Sequence, residues 1–288
     1  MSVTTRFAPS PTGPLHLGHA YSAIVAHDLA RAAGGRFLLR LEDLDQSRVR
    51  DEWARAICED LHWLGLSWDG PVWRQSDRRA VYDRALDQLW AAGLVYPCTC
   101  TRQDIRAAAS APQEGTPAMG PDGVIYPGTC RPPPDAPPPT GPKPERAVLR
   151  LNMGRLALPD DAGFEETGAG PDGRSGWVAV TQGDLVRDVG DVVLARRDGY
   201  AAYHLAVVVD DAAQGVTCVS RGQDLFEATQ IHVALQHSLG LPTPRYHHHR
   251  LIRDDTGKRL AKRDDARAIR TYRDAGIGPN DLRAMVGL

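Results

Sequence analysis

The spacing of apolar residues along the first hundred positions predicts strands that alternate with helices. A short apolar-leaning segment at residues 3–8 predicts a strand, and apolar positions then recur at helical spacing over residues 20–33. The helical pattern stops at Gly34, and the apolar run at residues 37–41 predicts a second strand. Strands joined through a helix pair in parallel, so the pattern indicates a β-α-β unit within a parallel sheet.

Similar patterns continue through most of the chain. Helical spacing recurs at residues 51–64 and 77–92, and two short helical patterns follow near the end of the sequence, at 267–275 and 280–287. Asp224 is placed to cap a further helix that ends at Gly240. We interpret five other segments as strands that lead into and form the second half of the same sheet: residues 147–153, 177–181, 192–196, 203–211 and 215–224.

The character of the sequence changes between Cys98 and about Pro144, where proline and glycine become frequent. This change predicts an insertion between the two halves of the sheet. Its last part, residues 131–144, is dominated by proline and favours an extended polyproline II conformation. We interpret that tract as a surface spacer with no ligand of its own.

Composition and charge narrow the class of protein. The 288 residues are 42 % hydrophobic, which is ordinary for a globular protein, and no run of eighteen apolar residues or export signal is present, so we expect a cytoplasmic protein with no membrane contact. A net charge of −2 argues against general nucleic-acid binding and permits only a local basic groove. Without a predicted coiled coil or large apolar face, a monomer is the default expectation.

Two histidines close to the first predicted strand are the first candidates for chemistry. His16 and His19 follow a loop rich in proline and glycine and open the first predicted helix. The free backbone N–H groups of a helix N-terminus, with imidazole donors beside them, form a ready site for an anion such as a phosphate.

The lysines supply a second, independent signal. Only three of the 34 basic residues are lysine, and two of these, Lys258 and Lys262, fall within residues 256–263. Lysine carries a compact, mobile point charge, whereas the guanidinium of arginine is a planar fork. Because nearly all other basic residues are arginine, the two lysines indicate that the function of this segment requires an ammonium group. The alternative is a solvated basic loop in which two lysines occur by chance.

These segments together resemble the class I aminoacyl-tRNA synthetases. The words RFAPSPTGPLHLGHA and LRLED are similar to the HIGH region of the glutamyl branch, and YHLAVVVDD and VSRGQD are similar to later segments of that branch. Residues 256–263 resemble the KMSKS loop, with Arg259 and Ala261 where the family usually has methionine and serine. The likeness spans nearly the whole chain except the insertion.

The resemblance implies an α/β fold with a Rossmann-like parallel sheet, helices on both of its faces and an inserted subdomain that contains zinc. The catalytic domain would occupy residues 1–97 and 191–288, with an acceptor-binding-like insertion at residues 98–190. Full-length members continue into a domain that reads the anticodon, and only about 25 residues follow Arg263, so we expect no such domain here.

The resemblance also implies roles for single residues. His16 and His19 would contact the phosphates of ATP, which arrives with Mg²⁺, while Lys262 would act on the leaving pyrophosphate. Lys258 would be a further catalytic residue. In the glutamate pocket the arginines would bind the side-chain carboxylate and Glu42 the amino group. The residues matching that pocket are Arg6, Phe7, Ala8, Pro9, Ser10, Glu42, Tyr203 and Arg221.

The cysteines and the histidine tract raise the question of metals. Five cysteines, an odd number, argue against a disulfide framework. Two cysteines spaced Cys-x-Cys with a third about thirty residues later are more often coincidental than a zinc site, but the resemblance implies that Cys98, Cys100, Tyr126 and Cys130 hold Zn²⁺.

The remaining cysteines and histidines fit simpler interpretations. Cys58 and Cys218 fall in helix and strand patterns and are expected to be core thiols. Residues 247–249 are three histidines in a predicted strand, where they point to alternating faces and cannot converge on one ion. One of these three histidines is expected to contact ATP.

Three functions remain open at this point. The favoured one follows from resemblance to a shortened member of the glutamyl branch, which activates L-glutamate without tRNA and esterifies it to the queuosine base in the anticodon loop of tRNA(Asp). The second is a truncated synthetase that charges the 3′ end of tRNA. The third is a non-catalytic binding or regulatory protein, and an unrelated nucleotidyltransferase with an HxGH motif is a remote fourth.

Overall fold

The computed structural model describes residues 2–109, 119–253 and 267–288. Its strands are β1 (Thr4–Phe7), β2 (Arg36–Leu41), β3 (Trp73–Arg74), β4 (Val95–Cys98), β5 (Met119–Gly120), β6 (Gly123–Val124), β7 (Val148–Leu151), β8 (Gly163–Glu166), β9 (Gly176–Ala179), β10 (Val193–Ala195), β11 (Cys218–Gly222) and β12 (Arg245–His249). Its α-helices are α1 (Leu17–Ala32), α2 (Asp51–Trp63), α3 (Arg79–Ala91), α4 (Arg102–Ala109), α5 (Gln182–Asp184), α6 (Tyr203–Ala213), α7 (Thr229–Leu239), α8 (Ile269–Asp274) and α9 (Pro279–Met285).

The predicted parallel sheet is present and is built from two halves. In the first half β2 pairs in parallel with both β1 and β3. In the second half β12 pairs in parallel with β11 and β8, and β9 adds an antiparallel edge strand. The halves meet where β1 lies beside β11: the Thr217 amide donates to the Thr4 carbonyl at 2.9 Å, and the Thr4 amide donates to Thr217 Oγ1 at 2.9 Å.

Helices cover both faces of this sheet, as expected from the sequence. Alternate residues of β2 point to different cores: Phe37 and Leu39 pack with residues of α1, α2, α8 and α9, while Leu38 packs with residues of α3, α6 and α7. This alternation follows from the two-residue period of a strand, so a strand that is apolar throughout is buried on both faces.

A second, antiparallel sheet has the strand order β10-β7-β4 and lies at the base of the predicted insertion. Strands β8 and β9 also fall within residues 98–190, yet they extend the main sheet by pairing with β12 and with each other. The insertion is therefore connected to the catalytic sheet through backbone hydrogen bonds. The domain boundaries at 97 and 190 stay predictions.

Two sequence-based predictions are wrong. Residues 203–211 were expected to form a strand and instead lie in helix α6. Residues 204–211 are all buried, and the apolar residues 205–209 are continuous, and such a run does not distinguish a buried helix from a buried strand. Asp224 does not cap α7, because it lies in a 3₁₀ turn (Gln223–Leu225) and the helix begins only at Thr229.

The remaining helix predictions agree closely with the structure. Gly34 and Gly240 follow α1 and α7 with positive φ angles of 61° and 65°, the left-handed conformation that glycine adopts without strain. Within the described residues, no helix is both long and apolar enough to span a membrane.

Candidate active site

A cleft of about 560 Å³ opens where β1 and β11 end side by side. In open α/β sheets, ligands bind beyond the carboxyl ends of the strands at the point where the strand order reverses, and this cleft has that position. The cleft brings together every predicted substrate residue that the structure describes: Arg6, Phe7, Ala8, Pro9, Ser10, His16, His19, Glu42, Tyr203 and Arg221. The predicted Lys258 and Lys262 lie outside the described residues.

The two histidines are fixed by the start of helix α1. His16 is the N-cap residue, and its Nδ1 accepts the Gly18 amide at 3.1 Å. The His16 amide donates in turn to His19 Nδ1 at 3.2 Å, which completes a capping box, and the two rings lie 3.8 Å apart. The N-terminus of a 16-residue helix therefore faces the cleft with both imidazoles beside it.

A buried group of charges lies next to the cleft. Asp211 Oδ1 accepts hydrogen bonds from Arg6 Nε at 3.0 Å and from Arg40 Nη1 at 2.7 Å. Burial would raise the pKa of Asp211, but the Arg6 and Arg40 guanidiniums hold it below its ordinary value. Glu42 lies 3.4 Å from Arg40, and burial raises its pKa despite the attraction of Arg40 and Arg6. Asp211 therefore stays ionised, while Glu42 keeps the higher proton affinity.

Arg221, from β11, reaches the cleft with a different set of partners. Its Nε donates to His248 Nε2 at 3.1 Å, its Nη1 to His232 Nδ1 at 3.1 Å, and its Nη2 to Thr229 Oγ1 at 2.6 Å. The guanidinium also lies 5.2 Å from the ring centre of Tyr246. These contacts fix the orientation of a side chain that is only 5 % exposed.

The histidine tract does not form a metal site, as its strand geometry predicts. In β12, His247 contacts Thr167, His248 is buried against Glu166, and His249 Nε2 lies 3.0 Å from Ser22 Oγ. The three rings therefore point in different directions. His249 is the member of the tract that lines the cleft, and the expected contact with ATP stays a prediction.

A second cavity of about 600 Å³ shares Ser10, Glu42 and Tyr203 with the cleft and extends toward the insertion. Its walls contain residues from α4, β7 and the turn between β5 and β6. Four arginines line it: Arg102, Arg150, Arg196 and Arg197. Three acidic residues, Glu42, Asp45 and Asp122, line the cavity as well, so its basic residues exceed its acidic residues by one, in a chain whose net charge is −2.

The predicted zinc ligands lie together at the base of the insertion. The Sγ atoms of Cys98, Cys100 and Cys130 all lie within 4.8 Å of one another, with Cys100 and Cys130 3.5 Å apart. Tyr126 Oη lies 3.5 Å from Cys98 Sγ and 3.4 Å from Cys100 Sγ. A tetrahedral zinc site with Zn–S bonds of about 2.3 Å has ligand–ligand edges of about 3.8 Å, so these four donors fit one Zn²⁺.

Comparison with known proteins agrees with this geometry. Residues 2–121 and 172–288 match the family described as tRNA synthetases class I (E and Q), catalytic domain. This chain belongs to that family. The glutamyl-Q tRNA(Asp) synthetase of Rhodobacter capsulatus is 61 % identical over 99 % of both chains. The protein of the same name from Deinococcus radiodurans is 45 % identical over 99 % of this chain and 88 % of its own length.

A solved structure extends the comparison to three dimensions. The synthetase resembles a glutamate tRNA ligase from Elizabethkingia meningosepticum, solved with its amino acid, with a TM-score of 0.68 and 29 % sequence identity. The match covers 92 % of this chain and 52 % of that protein, so the synthetase spans about half the length of the ligase.

Several residues around the cleft of this synthetase are absent from the sequence-based predictions. They are Arg40, Asp211, Thr229 and His232, and each contacts one of the predicted pocket residues Arg6, Glu42 and Arg221. His248 was considered only as a member of the histidine tract, and its contact with Arg221 was not predicted. Arg40 could have been identified from the sequence, because it lies among apolar residues in strand β2. A charge in such a place needs a buried partner of opposite charge. Nothing in the local sequence marks His232, which meets Arg221 only through the packing of α7 on β11.

Proposed function

We propose that this synthetase activates L-glutamate with ATP in the absence of tRNA and then transfers the glutamyl group to the queuosine base in the anticodon loop of tRNA(Asp). The observation that carries the proposal is the single cleft in which buried arginines, a buried carboxyl group and the N-terminus of α1 face one another. The names of relatives that match nearly the whole chain support the same substrate pair. We take the enzyme to be cytoplasmic, where its substrates ATP and tRNA are found, and keep the monomer as the default expectation.

The residues of the cleft suit recognition of glutamate. Arg221 and Arg6 would bind the side-chain carboxylate through charge-assisted hydrogen bonds, and Glu42 would accept hydrogen bonds from the ammonium group. Burial raises the pKa of Glu42, and a bound ammonium group would lower it again by stabilising the ionised carboxylate. Phe7, Ala8, Pro9, Ser10 and Tyr203 would shape the pocket around the carbon chain.

The activation step needs a site for developing negative charge on phosphate. The α-carboxylate oxygen attacks the α-phosphorus of ATP, and the bond to pyrophosphate breaks. His16, His19 and the amides of the α1 N-terminus would hold the phosphates, with Lys258 and Lys262 acting on the leaving pyrophosphate. Mg²⁺ bound to ATP would supply further positive charge at the phosphate oxygens.

The transfer step needs an acceptor beside the activated carboxyl group. A hydroxyl of the cyclopentenediol of queuosine attacks the carbonyl carbon, the bond to AMP breaks and an ester forms. The second cavity opens into the cleft at Ser10, Glu42 and Tyr203, and its four arginines suit the phosphate backbone of an anticodon loop. The acceptor nucleoside would therefore enter from the side of the insertion.

We further propose that Cys98, Cys100, Tyr126 and Cys130 hold one structural Zn²⁺. The spacing of their donor atoms fits a tetrahedron, and the described part of the segment between them contains only helix α4 and the two-residue strands β5 and β6. When bound, the ion would cross-link the two ends of the segment 98–130. The Cys130 amide already donates to Tyr126 Oη at 2.7 Å, which keeps the fourth donor in place.

Glutamate-dependent exchange of labelled pyrophosphate into ATP tests the activation step. We expect exchange with glutamate in the absence of tRNA, and none with aspartate or glutamine. Exchange that requires tRNA(Glu) would instead support a truncated synthetase that charges the 3′ end, and no exchange under either condition would support a non-catalytic protein.

Periodate-treated tRNA tests the acceptor. Periodate cleaves the diol of the 3′ ribose and the diol of queuosine, so the two acceptors are distinguished by protecting one of them before treatment. Labelled glutamate should be incorporated into tRNA(Asp) whose queuosine is protected and whose 3′ end is oxidised. Incorporation only where the 3′ end is intact would contradict the proposal.

A further inference from the structure

The immediate partners of Arg221 are all uncharged. Within the described residues, its guanidinium donates to two histidine nitrogens and one threonine hydroxyl, and no carboxylate touches it. Arg6, on the neighbouring strand, differs because its Nε donates directly to the Asp211 carboxylate at 3.0 Å. The two arginines of the cleft therefore differ in how far their charge is already balanced by the protein.

Two carboxylates, Glu166 and Asp122, are linked to Arg221 through histidine rings. An arginine can only donate, so His232 Nδ1 and His248 Nε2 must be acceptors, and the opposite ring nitrogens carry the protons. His248 Nδ1 therefore donates to the Glu166 carboxylate. His232 Nε2 lies 3.1 Å from His204 Nδ1, and His204 Nε2 lies 3.1 Å from Asp122 Oδ1 in the turn between β5 and β6.

The ring of His232 is held in its neutral form. Burial, and after it the nearby Arg221 guanidinium, keeps the pKa of His232 well below its ordinary value. A neutral ring satisfies the hydrogen bond of the guanidinium without cancelling its charge. A buried guanidinium in this state gains most from a ligand that brings its own negative charge, because paired ions in a buried site are far more stable than an unpaired one.

We propose that the neutral acceptors around Arg221, formed by His232, His248 and Thr229, make this site select a carboxylate side chain over the corresponding amide. The three residues are positioning residues, since they act on the ligand through Arg221. The proposal rests on the proposed function, because it takes the ligand of Arg221 to be the side chain of glutamate. Glutamine offers the same shape without the charge, and it would leave the guanidinium without a counter-ion.

A matched pair of variants at position 232 tests this idea. Asparagine and aspartate side chains have the same shape and place an oxygen near the former Nδ1 atom, so His232→Asn keeps a neutral acceptor and His232→Asp supplies an anion. Dissociation constants for glutamate and glutamine, measured by calorimetry without ATP, report selectivity independently of catalysis. Misfolding would weaken both ligands, whereas the proposal concerns their ratio.

The expected results differ sharply between the two variants. His232→Asn should keep the preference for glutamate within about threefold of the wild type, and His232→Asp should reduce it by at least about tenfold, or roughly 1.4 kcal/mol. An equal preference in both variants, or a wild type that binds glutamate and glutamine equally, would overturn the proposal. If circular dichroism shows that His232→Asp is unfolded, the pair Thr229→Asn and Thr229→Asp makes the same comparison from another side of the guanidinium.

Failure of the proposed function gives a different result. A wild type that binds glutamate selectively but shows no exchange of pyrophosphate into ATP would contradict the activation chemistry and still support the neutral acceptors. A wild type that exchanges pyrophosphate but shows the same selectivity in the asparagine and aspartate variants would support the activation chemistry and contradict the inference about Arg221.

Discussion

At the scale of single residues, Asp211 is the carboxylate that pairs with two buried arginines beside the cleft. One of its oxygens accepts hydrogen bonds from both Arg6 and Arg40, and all three side chains are buried. Removal of one member of such a group leaves the others as uncompensated buried charges, which costs far more than the loss of an exposed ion pair.

We therefore expect Asp211→Asn to lower the free energy of unfolding by about 3 kcal/mol. The pKa of Asp211 is below its ordinary value, so its contribution is fully present above about pH 4 and declines as the pH falls below that. Urea unfolding at pH 7.5 measures the change. Asp87→Asn, at an exposed ion pair with Lys143, is the matched control and should have little effect. Equal losses in both variants would contradict this account of Asp211.

The sequence allowed us to predict residues that line the cleft, but not the partners that orient them. His16 and His19 are recognisable because a capped helix start is a local feature that three or four residues define. Arg221 is recognisable from the word VSRGQD, but its contact with His248 joins positions 27 residues apart on different strands. Such pairs depend on strand register and helix packing, which the local pattern of apolar residues does not specify.

At the scale of elements, Asp60 on helix α2 is an ionisable group whose surroundings disfavour its charged form. The side chain is buried, its closest cation is Arg273 of α8 at 3.8 Å, and burial raises its pKa to about 6. In the unfolded chain the carboxyl group of Asp60 loses its proton near pH 4, whereas in the folded protein it keeps the proton up to about pH 6. The contribution of Asp60 to stability therefore falls as the pH rises between these values.

Replacement of Asp60 by asparagine should remove this decrease in stability with rising pH. We expect Asp60→Asn to be more stable than the wild type at pH 7.5, by about 1–2 kcal/mol, and to show a flatter profile between pH 4 and 6. Thermal unfolding followed across this pH range measures both effects. Glu52→Gln removes an exposed carboxyl group from the first turn of α2 and should leave the profile of the wild type intact. A flattened profile in that variant would count against Asp60 as the source.

Elements were predictable from the sequence where their apolar pattern has a clear period. Helix α2 and strand β2 follow their predicted bounds within a residue or two, because α2 has one buried stripe and β2 is short and flanked by a glycine pair. Helix α6 was mistaken for a strand because its valines, Val207 to Val209, are buried together. Branched residues favour strands, and tertiary burial outweighed that preference here.

At the scale of the whole molecule, the cysteine cluster adjoins the cavity that we propose for the acceptor. Cys100 lines this second cavity, which shares residues with the cleft, whereas Arg6 and Arg221 of the proposed glutamate pocket lie on β1 and β11. Loss of the proposed zinc should therefore impair transfer to tRNA more than activation of glutamate. Sequence spacing alone argued against this site, and only the fold brings Cys98, Cys100 and Cys130 together.

We expect one zinc per chain in the wild type and in Cys58→Ser, which lies outside the cluster, and none in Cys130→Ser. Plasma mass spectrometry measures the metal, and pyrophosphate exchange and transfer to tRNA measure the two steps. Cys130→Ser should retain most of its exchange and lose most of its transfer. Zinc that persists in Cys130→Ser, or an equal loss of both steps, would contradict this assignment.

The junction of β1 with β11 has a consequence for synthesis on the ribosome. Thr4 and Thr217, which join the two half-sheets, are 213 residues apart in the chain. At a translation rate of about 5–20 residues per second, β11 leaves the ribosome roughly 10–40 s after β1, and β1 has no partner on that edge during this time. During that interval the N-terminal half exposes an open strand edge, a template for self-association. The substrate pocket is thus among the last parts of the nascent protein to close, and slow or stalled translation beyond residue 100 should favour aggregation over folding.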